Sequence, residues 1–330
     1  MYDVITVGSA TLDVFAYTDK SELITVKSKT TEEDFIAYPS GSKLLIKTLK
    51  FYTGGGGTNA AVAFARLGFK TGYLGAVGKD DNGKIILNDL KKEEIDFLGA
   101  TTDFSTDYSI ILDSIAHDRT ILNYKGASSH LEFRELNLRK LKCKWFYFSS
   151  LIDDSYQTLE KLSAYAKRNK IKVAFNPSSY LAVKGKRFLK KLLSNTALLI
   201  LNDEEAEKIS GSNKFHKMFH ELRKLGPKMI CITRGSKGVY ALIDSTYYFA
   251  EAHKVRVKEA TGAGDSFASS FLAGWILKKD AHFALRMGMA NAESNLEHYG
   301  AKEKLLSRKE ILKRMNSNIT KIKKIDIEKI

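Results

Sequence analysis

Residues 54–68 read GGGGTNAAVAFARLG. Four consecutive glycines run straight into a stretch, Thr58 to Leu67, where small and apolar residues recur at helical spacing. Gly68 then stands where a left-handed C′ residue would end the helix. Glycine tolerates positive φ and lets a ligand come close to the backbone. The helix start behind it supplies unpaired N–H groups and the positive end of the helix dipole. One or two glycines would suffice for a tight turn, so four before a helix start predict a loop that faces a ligand.

Outward from this stretch, strands and helices alternate. YDVITV (2–7), TGYLGAV (71–77), WFYFS (145–149), VAFN (173–176), ALLIL (197–201) and MICIT (229–233) are continuous apolar runs. Helical patterns lie between them, at residues 83–93, 155–167 and 204–210. Continuous apolar strands spaced by helices predict a parallel sheet covered on both faces. Two segments break the rhythm. Residues 15–52 are polar with short β-like pieces (FIAYP, KLLIKTLKFY), and residues 107–124 alternate (YSIILD, HDRTILNY). These predict antiparallel strands in a small sheet that acts as a lid. No linker, repeat or low-complexity block occurs. The chain of 330 residues therefore reads as one α/β domain over 1–330, with lid insertions near 15–50 and 105–125.

A second glycine cluster, EATGAGDSF (259–267), leads into an apolar helix carrying Phe267, Phe271, Leu272, Trp275 and Ile276. Small residues at 262–264 let successive N–H groups converge on one point, and Asp265 sits at the helix start. This suits phosphoryl transfer: amides hold the charge developing on the transferred oxygens, while the carboxylate takes a proton from an attacking hydroxyl. Helix capping is the plain alternative for a lone aspartate, and the TGAG before it argues against that alternative. Other chemistries are excluded by what is missing. No GxxxxGK[ST] occurs, no GxGxxG follows the first strand, and there is no HRD…DFG set. The two cysteines, Cys143 and Cys231, form no CxxC, which excludes a disulfide framework or thiolate zinc site and fits a reducing compartment. The first residues open as a strand and not as a signal peptide, and no apolar run approaches the ~18–20 residues of a membrane span. A cytoplasmic protein with no membrane partner is expected.

Taken in order, these motifs closely resemble the ribokinase-like (PfkB) family of carbohydrate and nucleoside kinases, from Gly8 to about Gly300. GGGGTNAAVAFARLG with GAVGKDDNG (75–83) is similar to the family's N-terminal signature, and TGAGDSFASSFLAG (261–274) to its C-terminal one. The resemblance implies a three-layer αβα sandwich with a mainly parallel central sheet and a small β-sheet lid. It implies ATP as phosphoryl donor with Mg²⁺, Asp265 as the base that activates the acceptor hydroxyl, and the Gly262, Ala263 and Gly264 amides as an anion hole. Asn202-Asp203-Glu204-Glu205 matches the family's N-x-x-E, so Asn202 and Glu205 would organise Mg²⁺, water and phosphates. Thr233, Gly235 and Gly238 lie in a strand-to-turn (TRGSKG) that matches the nucleotide-facing one, and Asn291 matches a position near the adenine. On the acceptor side, Asp13 of GSATLD (8–13) would hydrogen-bond sugar hydroxyls. Gly55, Gly56 and Asn59 map onto the acceptor loop. Arg119 and Lys125 fall in the lid, where they contact acceptor or phosphates or are simply solvated.

Two departures matter. Glu259 and Ala260 replace the Asp-Thr usual there, a neighbourhood that in many relatives binds a monovalent cation such as K⁺. Gly56 replaces the lysine of typical ribokinases, which weakens ribose as the acceptor. A small sugar is the expected acceptor. A nucleoside stacked on Phe35, Tyr38 or Tyr108 is the alternative, followed by a phosphosugar or a non-catalytic sensor. A homodimer through the β lid is a further expectation. The remaining features read plainly. His216 and His220 lie on a surface helix with no third ligand at metal spacing. Asp80-Asp81 and Asp153-Asp154 are helix caps, and Trp145–Phe148 is sheet core. The formal charge of +15 first suggests a polyanion, but residues 301–330 alone hold ten Lys/Arg against four Asp/Glu. The rest is scattered in short runs such as residues 184–191, so the charge is background and no nucleic-acid partner is expected.

Overall fold

The computed structural model describes residues 1–28, 32–113 and 119–327. The chain opens with β1 (Tyr2–Val7) and then leaves the main layer for β2 (Thr11–Tyr17), a hairpin of β3 (Glu22–Lys27) and β4 (Glu32–Ala37), and β5 (Thr48–Gly54). The glycine run delivers it into α1 (Gly56–Arg66). Next come β6 (Thr71–Leu74), β7 (Ala76–Gly78), α2 (Asp81–Lys92), β8 (Asp96–Phe97) and β9 (Ala100–Thr102). The strands β10 (Asp107–Asp113) and β11 (Arg119–Tyr124), in the region expected to form a lid, precede a return to regular alternation. That stretch is β12 (Cys143–Phe148), α3 (Asp154–Arg168), β13 (Lys172–Phe175), α4 (Ser179–Ala182), α5 (Gly185–Leu193), β14 (Leu198–Asn202), α6 (Asp203–Ser210) and α7 (Phe215–Lys224). The chain ends with β15 (Met229–Thr233), β16 (Val239–Ile243), β17 (Thr246–Ala250), α8 (Ala263–Lys278), α9 (Ala281–Leu296), α10 (Arg308–Ser317) and β18 (Ile322–Lys324).

Ten strands form the main sheet in the order β18-β17-β16-β15-β14-β13-β12-β1-β6-β8. From β15 to β8 every pair is parallel, and β15 to β18 are antiparallel. The reason for continuous apolar strands is visible in the packing. Ile5, Val7, Phe146, Phe148, Val173 and Phe175 bury on one face, in a core shared with α3, α5, α6 and α7. Val4, Trp145, Tyr147 and Ala174, the alternate residues, bury on the other against α1, α8 and α9. Both faces are covered, so neither can be polar. This is the expected three-layer sandwich. Among the described residues no helix is long and apolar enough to cross a membrane.

The smaller sheet has the order β11-β10-β2-β5 and takes in residues from Thr11, earlier than the expected start near 15. Its strands are not all antiparallel as expected, because β10 runs parallel to β2. Further expectations are corrected. Residues 71–77 do not form one strand but bend at Gly75, where a Cβ would stand 2.5 Å from the Gly8 carbonyl oxygen. The KLLIK part of residues 43–52 carries no strand. Outside these corrections, the C-terminal basic run forms the edge strand β18, whose Lys323 and Lys324 are solvated as charged runs are expected to be; charged edge side chains discourage pairing with another chain. Asp80 caps α2 by accepting the Gly83 N–H (2.8 Å), whereas Asp153 precedes α3 at φ 52° with no side-chain cap.

Candidate active site

Register across the lid sheet aligns Tyr52, Asp13, Ser109 and Asn123 in one row. Asp13 is only 7% exposed, so burial pushes its carboxyl up to about 6, against the opposing pull of the Ser109 hydroxyl, Lys125 and Lys302. Asn123 donates to the Tyr180 hydroxyl (3.1 Å), which ties the small sheet to the body beside the cleft. The glycine loop fits tightly under this row. A Cβ on Gly54 would sit 2.0 Å from Asp13 Oδ2, and one on Gly56 would sit 2.1 Å from Ser149 Oγ and 3.4 Å from Asp265 Oδ1. These glycines are required by close approach to the site's own side chains.

At the head of α8, Asp265 Oδ2 accepts a hydrogen bond from Asn59 Nδ2 (2.9 Å), which links the two glycine clusters. Burial raises the Asp265 pKa and the Asn59 bond opposes the rise. Asn59 is 5% exposed, and its Oδ1 has no partner among the described residues. The N-cap, Gly262, is left-handed at φ 80°. Of the three amides expected to hold an anion, that of Ala263 is taken, because it donates to the Ala260 carbonyl (3.2 Å). The N–H groups of Gly264 and Asp265 have no backbone acceptor among the described residues, as the first donors of a helix lack one. Of the three, the Gly262 and Gly264 N–H groups thus have no backbone acceptor among the described residues, and that of Asp265 joins them.

Asp265, Glu205, Asn202, Gly56, Lys125, Ser128, Ser149 and Ser178 line one cleft of about 300 Å³. Asn202 and Glu205 form a capping box at the start of α6: Asn202 Oδ1 accepts the Glu205 N–H (2.8 Å) and Glu205 Oε2 the Asn202 N–H (3.0 Å). Burial pushes Glu205 up to about 7; the Asn202 N–H opposes this and the nearby Asp265 charge adds to it. Two carboxylates that repel one another in a half-dry cleft fit a divalent cation. No group of three or more His, Cys, Asp or Glu able to hold a metal alone occurs among the described residues. Mg²⁺ commonly takes one or two carboxylates and completes its shell with phosphates and water, so Glu205 and a bound nucleotide suit it.

Beyond Thr233 and Gly264, which line both cavities, the cleft opens into a groove of about 990 Å³ between the turn after β15, residues 251–260 and α9. Gly235 and Gly238 lie in its wall at φ 52° and 90°. Asn291 does not reach this groove. It is fully buried, donates to Ser270 Oγ (2.7 Å) and accepts the Leu306 N–H (2.9 Å), so it pins α9 to α8 and to the chain before α10. The α9 residues that face the groove are Met289, Ala292, Glu293 and Leu296. Glu259 is buried and accepts the Gly300 N–H (2.8 Å). Arg119 opens β11, and its side chain lies outside the described part of the structure, as do residues His117 and Asp118.

Sequence reading missed three groups. Lys302, 3% exposed, pairs with Asp89 (3.2 Å), which also accepts the Thr53 hydroxyl (2.5 Å) beside Asp13. Burial lowers the Lys302 pKa, with Asp89 opposing. Asp107 is fully buried and receives Lys125 (3.4 Å), the Gly126 and Ser128 N–H groups and the Ser128 hydroxyl. His253 Nδ1 lies 2.7 Å from Glu293 Oε1 in the groove wall. Only the position of Lys302 two residues after Gly300 hinted at a role; nothing in the sequence marks the other two.

A family model described as pfkB family carbohydrate kinase matches residues 1–308. The ribokinase of Haemophilus influenzae is 27% identical over 285 residues, 82% of this chain and 90% of that one. The ATP-dependent 6-phosphofructokinase of Thermoanaerobacterium thermosaccharolyticum is 25% identical over 310 residues, 91% and 89% of the two chains. Among solved structures, the nucleoside kinase of Methanocaldococcus jannaschii superposes with a TM-score of 0.79 at 22% identity, covering 96% of this chain and 99% of that one.

Proposed function

Because the chain belongs to the pfkB family of carbohydrate kinases, we propose that it moves the γ-phosphoryl group of ATP to a hydroxymethyl group of a small sugar, with Asp265 as general base. One observation carries this reading. Asp265 is held by Asn59 of the acceptor loop beside Gly264, where the cleft meets the groove. A base placed there touches an acceptor hydroxyl on one side and a terminal phosphate on the other. Its raised pKa makes it the better proton acceptor.

In the proposed reaction Asp13 accepts hydrogen bonds from sugar hydroxyls and orients the acceptor. Asp265 takes the hydroxyl proton as the new O–P bond forms and ADP leaves. The Gly264 and Asp265 N–H groups and the α8 dipole hold the negative charge on the transferring group. A bound Mg²⁺ would supply positive charge to offset that of the phosphates. Glu205 and Asn202 face it from the start of α6. The lid, latched through Asn123 and Tyr180, keeps out water that would otherwise accept the phosphoryl group. A monovalent cation such as K⁺ enters no step of the proposed reaction; Glu259, at the place the resemblance gives it, accepts the Gly300 N–H.

Gly56 and Ser149 bear on the acceptor. Any side chain at 56 collides with Ser149, so a lysine like that of typical ribokinases has no room, and the pair argues against ribose. A nucleoside is the second reading, favoured by one observation. Past Ile152 and Tyr180 the cleft continues into a pocket of about 450 Å³ walled by Tyr156, Phe188 and Val183, which suits an aromatic base. The test is an ADP-release assay across pentoses, hexoses, their phosphates and nucleosides. Acceptor-dependent release supports the reading, its identity decides between sugar and nucleoside, and release with no acceptor in the panel refutes it.

Two copies pairing through the lid belong to the same proposal. Phe51, Val14, Ile110 and Leu122 align across the lid sheet, and Phe51 and Leu122 are about half exposed. Val14 is buried, and the exposed apolar side chains of Phe51, Ile110 and Leu122 flank it on a face that a second copy could cover. Light scattering should give twice the monomer mass, and Phe51→Asp should return the monomer; a wild-type monomer at assay concentration would refute pairing.

A further inference from the structure

The wall of the large groove is mostly apolar, with Val239, Phe249, Val257, Phe267 and Met289 among its lining. Its polar members are Thr233, Ser236, Lys237, Glu251, Lys254 and, where the segment after β17 meets α9, His253 with Glu293. His253, on the segment after β17, brings Nδ1 to 2.7 Å from Glu293 Oε1 on α9. Glu293 is 5% exposed and is backed by Arg314 at 3.6 Å, so its charge is compensated from behind. A carboxylate only accepts, so Nδ1 carries the hydrogen. In the neutral ring this leaves Nε2 as an acceptor, and no hydrogen bond to it is found among the described residues. Both polar atoms that the pair offers, Nε2 and the remaining carboxylate lone pairs, are therefore acceptors.

We infer that the His253–Glu293 pair selects the phosphoryl donor by reading position 6 of its purine base, accepting a hydrogen bond from an exocyclic amino group. This deepens the kinase reading above and rests on it. A 6-aminopurine presents an N–H donor there, and a 6-oxopurine an acceptor. The apolar walls sandwich either ring equally, so they supply affinity without discrimination. The acceptor-only pair supplies the discrimination, because a 6-oxo group facing it would leave its own hydrogen bond unmade and the pair's acceptors unpaired. Arg314, itself occupied by a two-pronged pair with Glu297 (2.9 Å each), holds the Glu293 carboxylate in place from behind, where it accepts the Nδ1–H.

The test is calorimetric binding of ADP and IDP, without any acceptor, to the full chain and to His253→Ala, at about pH 8, above the ordinary histidine range of ~6.5. Wild type should bind ADP at least about tenfold more tightly than IDP, the effect of one discriminating hydrogen bond. His253→Ala should bring the two affinities within about twofold of each other by weakening ADP alone, with IDP unchanged as the check on folding. A wild type without preference, a variant that keeps the preference, or equal weakening of both nucleotides overturns the inference; the last is what a merely structural clamp between the two walls would give. If neither nucleotide binds the wild type, the kinase reading falls too, whereas preserved binding with an unmoved ratio removes only the role of His253.

Discussion

Replacing Glu205 by Gln should stabilise the nucleotide-free protein while impairing its Mg²⁺-dependent activity. The carboxyl is buried, and its pKa rises from 4.5 to about 7 in the native state. That is ~2.5 units, or ~3 kcal/mol at 1.36 kcal/mol per unit, that the folded protein gives up at about pH 8 by keeping the group ionised. Gln keeps the capping box, since its amide oxygen can still accept the Asn202 N–H. The lost charge at a helix N-terminus opposes the gain by only ~0.3–1 kcal/mol. A net gain of ~1–3 kcal/mol remains, a rise of several degrees in Tm. The sign follows from the direction of the shift. A group whose native pKa is raised lends stability below its unfolded value and loses it as pH rises through the native one. The advantage of Glu205→Gln should therefore be absent near pH 4.5, grow through the interval to about 7, and be complete at about pH 8. Thermal melts of both proteins without nucleotide across this range are the assay. A less stable variant at about pH 8, or a difference that does not change with pH, would refute the reasoning.

Further outcomes follow from the same geometry. Gly56→Ala puts a methyl 2.1 Å from Ser149 Oγ and should lower kcat/KM for the acceptor by at least ~10²-fold; recovery of part of this loss in Gly56→Ala/Ser149→Ala would trace it to the collision, and none would trace it elsewhere. With Asp13 at about 6, Glu205 at about 7 and Asp265 raised, kcat/KM should climb as pH rises from about 5 to 8, and saturating Mg²⁺ should move this limb to lower pH by favouring the Glu205 anion. Lys302→Met leaves Asp89 without its cation and should cost ~1–3 kcal/mol in urea denaturation, with a raised acceptor KM because Asp13 also loses a positive neighbour.

The family could be read from two short stretches because each is built on backbone conformation and close approach. Glycines with positive φ or no room for a Cβ, followed by a helix start, leave a mark in sequence order, as at Gly54–Asn59 and Gly262–Asp265. The strands β1, β12, β13, β14 and β15 of the main sheet were equally legible, since burial on both faces forces continuous apolar runs. What was not legible depends on distant pairs. Lys302 meets Asp89 across 213 positions of chain, within a basic segment that composition marks as background. Asn291 looks polar and available in sequence, yet the packing of α9 on α8 turns it inward. His253 gains meaning only because α9 brings Glu293 beside it.

The most direct test of the account is the rate of the chemical step in Asp265→Asn. Single-turnover phosphoryl transfer should be measured with the acceptor found in the ADP-release screen, alongside the binding of ATP with Mg²⁺. The account predicts a rate lower by ~10²–10⁴-fold with nucleotide affinity within about threefold of wild type, since the Asn side chain keeps its place beside Asn59 but cannot take the proton. Transfer at close to the wild-type rate would contradict it.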